Sequence, residues 1–125
     1  MEEQTFFTTS ERILLVSIYR KLMRIAGDSL QPGDVPLLKG CLTRCIEANA
    51  LSRDNFGLNP IVKDVQTSLI VADEIGLRRA SLLAIMLHGC VQGGVVTTDE
   101  VKRDFGTDVA TIINGLVRIN QLYEQ

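Results

Sequence analysis

Residues 80–94 read ASLLAIMLHGCVQGG. The run is apolar on nearly every side of a 3.6-residue turn, so a helix here has no wet face and belongs at the centre of a bundle. It carries the single histidine of the chain, His88, followed at once by Gly89. An imidazole is unusual in so greasy a helix, and a glycine beside it offers no side chain. The first property sets the fold; the second sets what chemistry is left.

Working outward, the flanking segments also read as helices. Asn59-Pro60 is a start signal, because asparagine caps well and proline at the first helical position has no N–H to leave unpaired. The helix that follows is expected to turn Ile61, Val65, Leu69, Ala72 and Ile75 inward, with Gly76 closing it. The short connection through Leu77 makes it the antiparallel neighbour of the apolar helix. Downstream, Thr97 and Glu100 form a capping-box pattern for a short helix ending at Phe105-Gly106. A last helix starts at Thr107 or Asp108, with Val109, Ile112, Ile113, Leu116 and Tyr123 on one side.

Toward the N-terminus, Ser10 is the expected cap of a helix with Leu14, Ile18, Leu22 and Ile25 at helical spacing, ended by Gly27. Ser29–Pro36 reads as a loop, with Asp34 available to cap a second helix that lines up Leu38, Cys41, Leu42, Cys45 and Ala48. No strand pattern, repeat or low-complexity tract interrupts this. The expectation is all-α, one domain over residues 1–125, about six helices. No stop signal precedes Gln125, so the bundle is expected to be truncated at its C-terminus, a piece of a longer protein. Apolar positions of the last helix such as Ile119 and Tyr123 should then be exposed or covered by a second copy in a homodimer.

The 125 residues can bury roughly two thirds of the unfolded surface, and 46% hydrophobic against 22% charged residues is a globular balance. A formal net charge of −2 argues against direct nucleic-acid binding, which needs a basic face. The basic clusters Arg20-Lys21-Arg24, Arg78-Arg79 and Lys102-Arg103 read as solvated helix faces. Cys41, Cys45 and Cys90 sit in apolar patterns and behave as small hydrophobes. With no apolar run of membrane-spanning length and no secretory h-region at the start, a cytoplasmic protein is expected.

His88 needs a hydrogen-bond partner if it is a core residue, and Asp64 on the preceding helix is the obvious candidate. The same pair could belong to a metal site, but firm binding of a divalent ion needs three or more protein ligands, and no third is evident. Cys90 lies about 200° around the helix from His88 and faces away. Cys41 and Cys45, one helical turn apart, read as packing; Gly93-Gly94 lacks the residues of a P-loop.

The run LLAIMLHGCVQGGVVTTDEVKRDFGTDVATIINGLVRI resembles the N-terminal hydrolase domain of the RelA/SpoT stringent-response family. Leu87-His88, Thr97, Glu100, Phe105-Gly106, Val109-Ala110 and Gly115-Leu116 fall in the family's order without gaps over residues 55–125. The resemblance implies an HD-type helical fold. It also implies a manganese ion that serves removal of the 3′-pyrophosphate from ppGpp and pppGpp. In active relatives the metal is held by a first histidine, a His-Asp pair and a later aspartate. Aligned without gaps, only His88 survives here. Asp64 stands in place of the first histidine, Gly89 in place of the paired aspartate, and Gln92 and Gly93 in place of the acids that work on water.

Glycine offers no ligand atom and glutamine is no base at neutral pH. The resemblance therefore implies a degenerate, non-catalytic domain without a bound cofactor, with His88 and Asp64 vestigial. Its partner would be a downstream synthetase domain of the same protein, a GTP pyrophosphokinase that it regulates. Two other readings differ in class: a working phosphohydrolase using Asp64 and His88 with altered ligands, and a helical interaction domain unrelated to alarmones.

Overall fold

The computed structural model describes residues 6–123, the side chain of Tyr123 excepted. Among them are six α-helices and no strand: α1 (Thr9–Ala26), α2 (Asp34–Glu47), α3 (Pro60–Ile70), α4 (Arg79–Gln92), α5 (Thr98–Phe105) and α6 (Thr107–Tyr123). None of the described helices is long and apolar enough to cross a membrane.

Helix α4 explains its own composition. Leu83, Ala84, Leu87 and Cys90 belong to one buried cluster, with Cys45, Phe105 and Ile113 among its other members. Leu82 and Met86 belong to a second, with Ile18, Leu22, Ile61 and Val65. A helix bordered by core on both flanks needs apolar residues nearly all round. The three thiols of Cys41, Cys45 and Cys90 are free and buried, and burial pushes all three above their ordinary range.

Where the expected starts carry a full chemical signature, they hold. The Asn59 side chain accepts from the N–H groups of Ile61 and Val62 at 2.9 and 3.2 Å, with Pro60 at the first helical position. Thr97 and Glu100 cap α5 reciprocally. The start of α1 differs from expectation: the cap is Thr8, not Ser10. Thr8 accepts from the Glu11 N–H at 3.1 Å and Glu11 accepts from the Thr8 N–H at 2.9 Å. Ser10 has Ile13 at the corresponding position, which cannot return the bond. The inward face of α1 accordingly runs through Ile18, Leu22 and Ala26, leaving Leu14 exposed.

Asp34 does not cap α2 with its side chain. It is the first residue of the helix and 2% exposed, and its carboxylate meets Arg79 twice, at 2.6 Å to Nε and 3.0 Å to Nη2. Arg79 Nη2 also donates to the Phe105 carbonyl at 3.0 Å, and the Gln31 N–H donates to Asp34 at 2.8 Å. One guanidinium thus joins the starts of α2 and α4 to the end of α5. Arg79 is therefore no solvated surface charge, unlike Lys102 and Arg103, which are exposed.

Beyond Ile70 the helical turn widens to π geometry over Val71–Ile75, with the Gly76 N–H donating to the Val71 carbonyl at 2.9 Å. Gly76 stops it in the left-handed region, at φ +86°. The wider turn rotates Ile75 off the inward face to 65% exposure, whereas Ala72 stays buried. In α6, Val109 and Ile113 are fully buried, Ile112 and Leu116 partly so, and Ile119 and Leu122 are exposed. The expected placement of Tyr123 lies outside the described side chains.

Candidate functional site

The α2–α3 loop governs the surroundings of the candidate site. Asn59 Nδ2 and Arg53 Nη2 donate to the Phe6 carbonyl, at 3.0 and 3.1 Å. Arg53 also grips the Glu11 carboxylate at 2.6 and 2.7 Å. That pairing holds the Glu11 carboxyl down to about 2. Thus anchored, the loop lays Ala50 and Leu51 along the last turns of α4.

There it meets bare backbone. A Cβ on Gly89 would stand 3.2 Å from Leu51 Cδ2. A Cβ on Gly93 would stand 3.2 Å from the Ala50 Cβ and 3.2–3.3 Å from the Gly89 and Ala50 carbonyl oxygens. The two glycines lie one helical turn apart and make a flat strip on which the loop rests. A side chain on either glycine would have to displace these neighbours by a few tenths of an ångström.

His88, one residue before the strip, is partly buried, with Nδ1 2.7 Å from the Ile85 carbonyl oxygen of its own helix. The short contact requires a proton on Nδ1, donated to that carbonyl. Asp64 is not its partner: among the described residues no hydrogen bond or ion pair joins them. The histidine that sequence reasoning paired with a carboxylate is satisfied instead by a main-chain oxygen, which any residue type can supply and no motif announces.

Asp64 is half-buried on α3, and burial pushes its carboxyl up to about 7 against the opposing charge of Lys63. The Lys63 ammonium itself turns to Asp54, at 3.1 Å. Across the helix interface, the Asp64 charge helps to raise the Cys90 thiol. One turn further along α3, Ser68 is fully buried with a hydroxyl that has no hydrogen-bond partner among the described residues. Gln92 is exposed and accepts from Asn120 Nδ2 at 3.1 Å, tying the end of α4 to α6.

The candidate donors are the His88 imidazole and the Asp64 carboxyl, and Gly89 offers no ligand atom. Among the described residues no group of three or more His, Cys, Asp or Glu side chains could hold an ion. Sequence reasoning found these positions but missed the Asp34–Arg79 pair and the packing duty of Gly89 and Gly93. An arginine opening an apolar run was the available signal for the first.

No curated protein and no solved structure matches the chain. A family model described as an HD domain does match, over residues 43–125. Those residues take in part of α2, the anchoring loop, His88 and the whole of α3 to α6. On this match and the all-helical architecture around α4, the chain belongs to the HD domain family.

Proposed function

We propose that this chain is a non-catalytic HD domain that regulates an alarmone synthetase of the RelA/SpoT type. Its retained scaffold would serve as a packing partner for a downstream synthetase domain, biasing that domain between active and inactive arrangements. Self-association through the exposed end of α6 belongs to the same reading.

The observation that carries it is the Gly89 strip. Where the resemblance calls for a metal-binding aspartate stands a glycine, with Leu51 Cδ2 lying 3.2 Å from the place a Cβ would take. Metal-activated water is the nucleophile in alarmone hydrolysis, so losing the ligand removes the mechanism instead of slowing it.

The test is a manganese titration by calorimetry together with an assay for pyrophosphate release from ppGpp. The expected result is no stoichiometric manganese binding and no turnover. Measurable hydrolysis that depends on His88 would overturn the proposal. Regulation is tested separately, by joining the chain to an alarmone synthetase domain and comparing synthesis rates with and without residues 1–125.

A further inference from the structure

Helices α1 and α2 do not close on each other. The first packs mainly on α3 and the second on α4, and a groove is left between them. The cavity in this groove has a volume of about 410 Å³. That falls within the roughly 300–1,000 Å³ of small-molecule sites. Leu15 and Tyr19 form one wall, Leu38 and Leu42 the other, and Val65 and Met86 the floor. The lining extends from Leu15 to Ala26 on α1 and from Val35 to Ile46 on α2. Both walls therefore run about 16 Å at 1.5 Å per helical residue. The slot is elongated.

Its charge is one-sided. Among the described residues Lys39 is the only charged one in the lining, and no carboxylate faces the cavity. Lys39 is exposed and has no ion-pair partner among the described residues. Thr43 stands one turn beyond it at the same wall, and Arg20 and Arg24 flank Tyr19 and Met23 on the outer side of α1. A neutral hydrocarbon would use the floor and waste the rim; a cationic amphiphile would meet like charge. An anionic head on an extended apolar tail uses both. Asp64, His88, Gly89, Gln92 and Gly93 do not line this cavity.

We propose that the groove between α1 and α2 binds a medium- or long-chain fatty acid, its tail lying over Val65 and Met86 and its carboxylate held at the rim by Lys39. The site stands whether or not the reading of His88 is right.

The experiment titrates the full chain with dodecanoate and with dodecyltrimethylammonium, each below its micelle concentration, by calorimetry and by methyl NMR. Dodecanoate is expected to saturate at one per chain and to shift the methyl signals of Leu15, Leu38, Leu42, Val65 and Met86. Lys39→Glu should weaken dodecanoate about fivefold and bring the ammonium amphiphile closer to it, the scale of an exposed ion pair. Leu42→Trp should fill the slot and abolish binding; the methyl shifts of the unaltered protein give the same answer should that variant not fold. Unsaturable binding, equal affinity for the two head groups, or shifts centred on Ile119 and Leu122 would overturn the assignment.

Discussion

Leu51 Cδ2 lies 3.2 Å from the point where a Cβ on Gly89 would stand. Glycine within a helix costs about 1 kcal/mol relative to alanine. Replacing it should therefore stabilise α4, unless the contact with Leu51 opposes the change. Gly89→Ala alone is expected to be near neutral and to gain about 0.5–1 kcal/mol when made in a Leu51→Ala background, the difference being their coupling. Urea unfolding of the four proteins of the cycle measures it. Gly89→Asp should lower stability by about 1–3 kcal/mol, from crowding and a half-buried unpaired carboxylate, without conferring hydrolysis.

Among the described residues Arg79 is the sole charged partner of the buried Asp34 carboxylate. Arg79→Ala leaves that carboxylate stranded and is expected to cost about 3–5 kcal/mol. Arg79→Lys should also destabilise, because an ammonium cannot reproduce the two parallel bonds. The guanidinium holds the Asp34 carboxyl below its usual range, more than burial raises it. A depressed acid stabilises the fold above the ordinary carboxylate pKa and loses that contribution as pH falls through its folded value. The wild type should thus weaken at acid pH from this site. Urea midpoints below pH 4, compared with those of Asp34→Asn, check the direction.

Asp64 has the opposite sign. Its folded carboxyl titrates at about 7, far above the value of 3.8 for an unperturbed aspartate. The unfolded chain ionises first, so stability is fully present in acid and is lost as pH rises from about 4 through 7. Asp64→Asn cannot ionise and should flatten this fall, exceeding the wild type by on the order of a few kcal/mol at pH 8 while matching it at pH 4. Paired denaturation curves at the two pH values decide it. A wild type no less stable at pH 8 would show the carboxylate to be solvated or paired.

Ile119 and Leu122 are 50% and 67% exposed on the last turns of α6. Burying such side chains in a dimer is worth roughly 1.5–3 kcal/mol each. Sedimentation of the chain should show association at micromolar concentrations, and Leu122→Glu should return it to monomer with unchanged helicity. A wild type that sediments as a monomer throughout would refute the contact.

How much of this was legible depends on how local the cause is. Asn59-Pro60 and Thr97-to-Glu100 complete their bonds within four residues, so sequence alone places those helix starts. The capping box at Thr8 is equally local, but Ser10 two residues on presents the same kind of hydroxyl, and only the glutamate three residues after Thr8 tells the two apart. Asp34 and Arg79 are 45 residues apart, and no periodicity relates them. The π turn over Val71–Ile75 breaks the 3.6-residue count on which the placement of Ile75 relied. At the candidate site the vacancy at Gly89 could be read directly. That Leu51 fills it could not, because only the folded loop brings the two together.

The membership of α4 in both buried clusters carries a consequence for how this protein comes apart. Melting either half would bare apolar side chains of α4 to water, so the two halves are expected to unfold together. A partner that grips α6 pulls on this helix directly, and one that grips α1 pulls on it through α3.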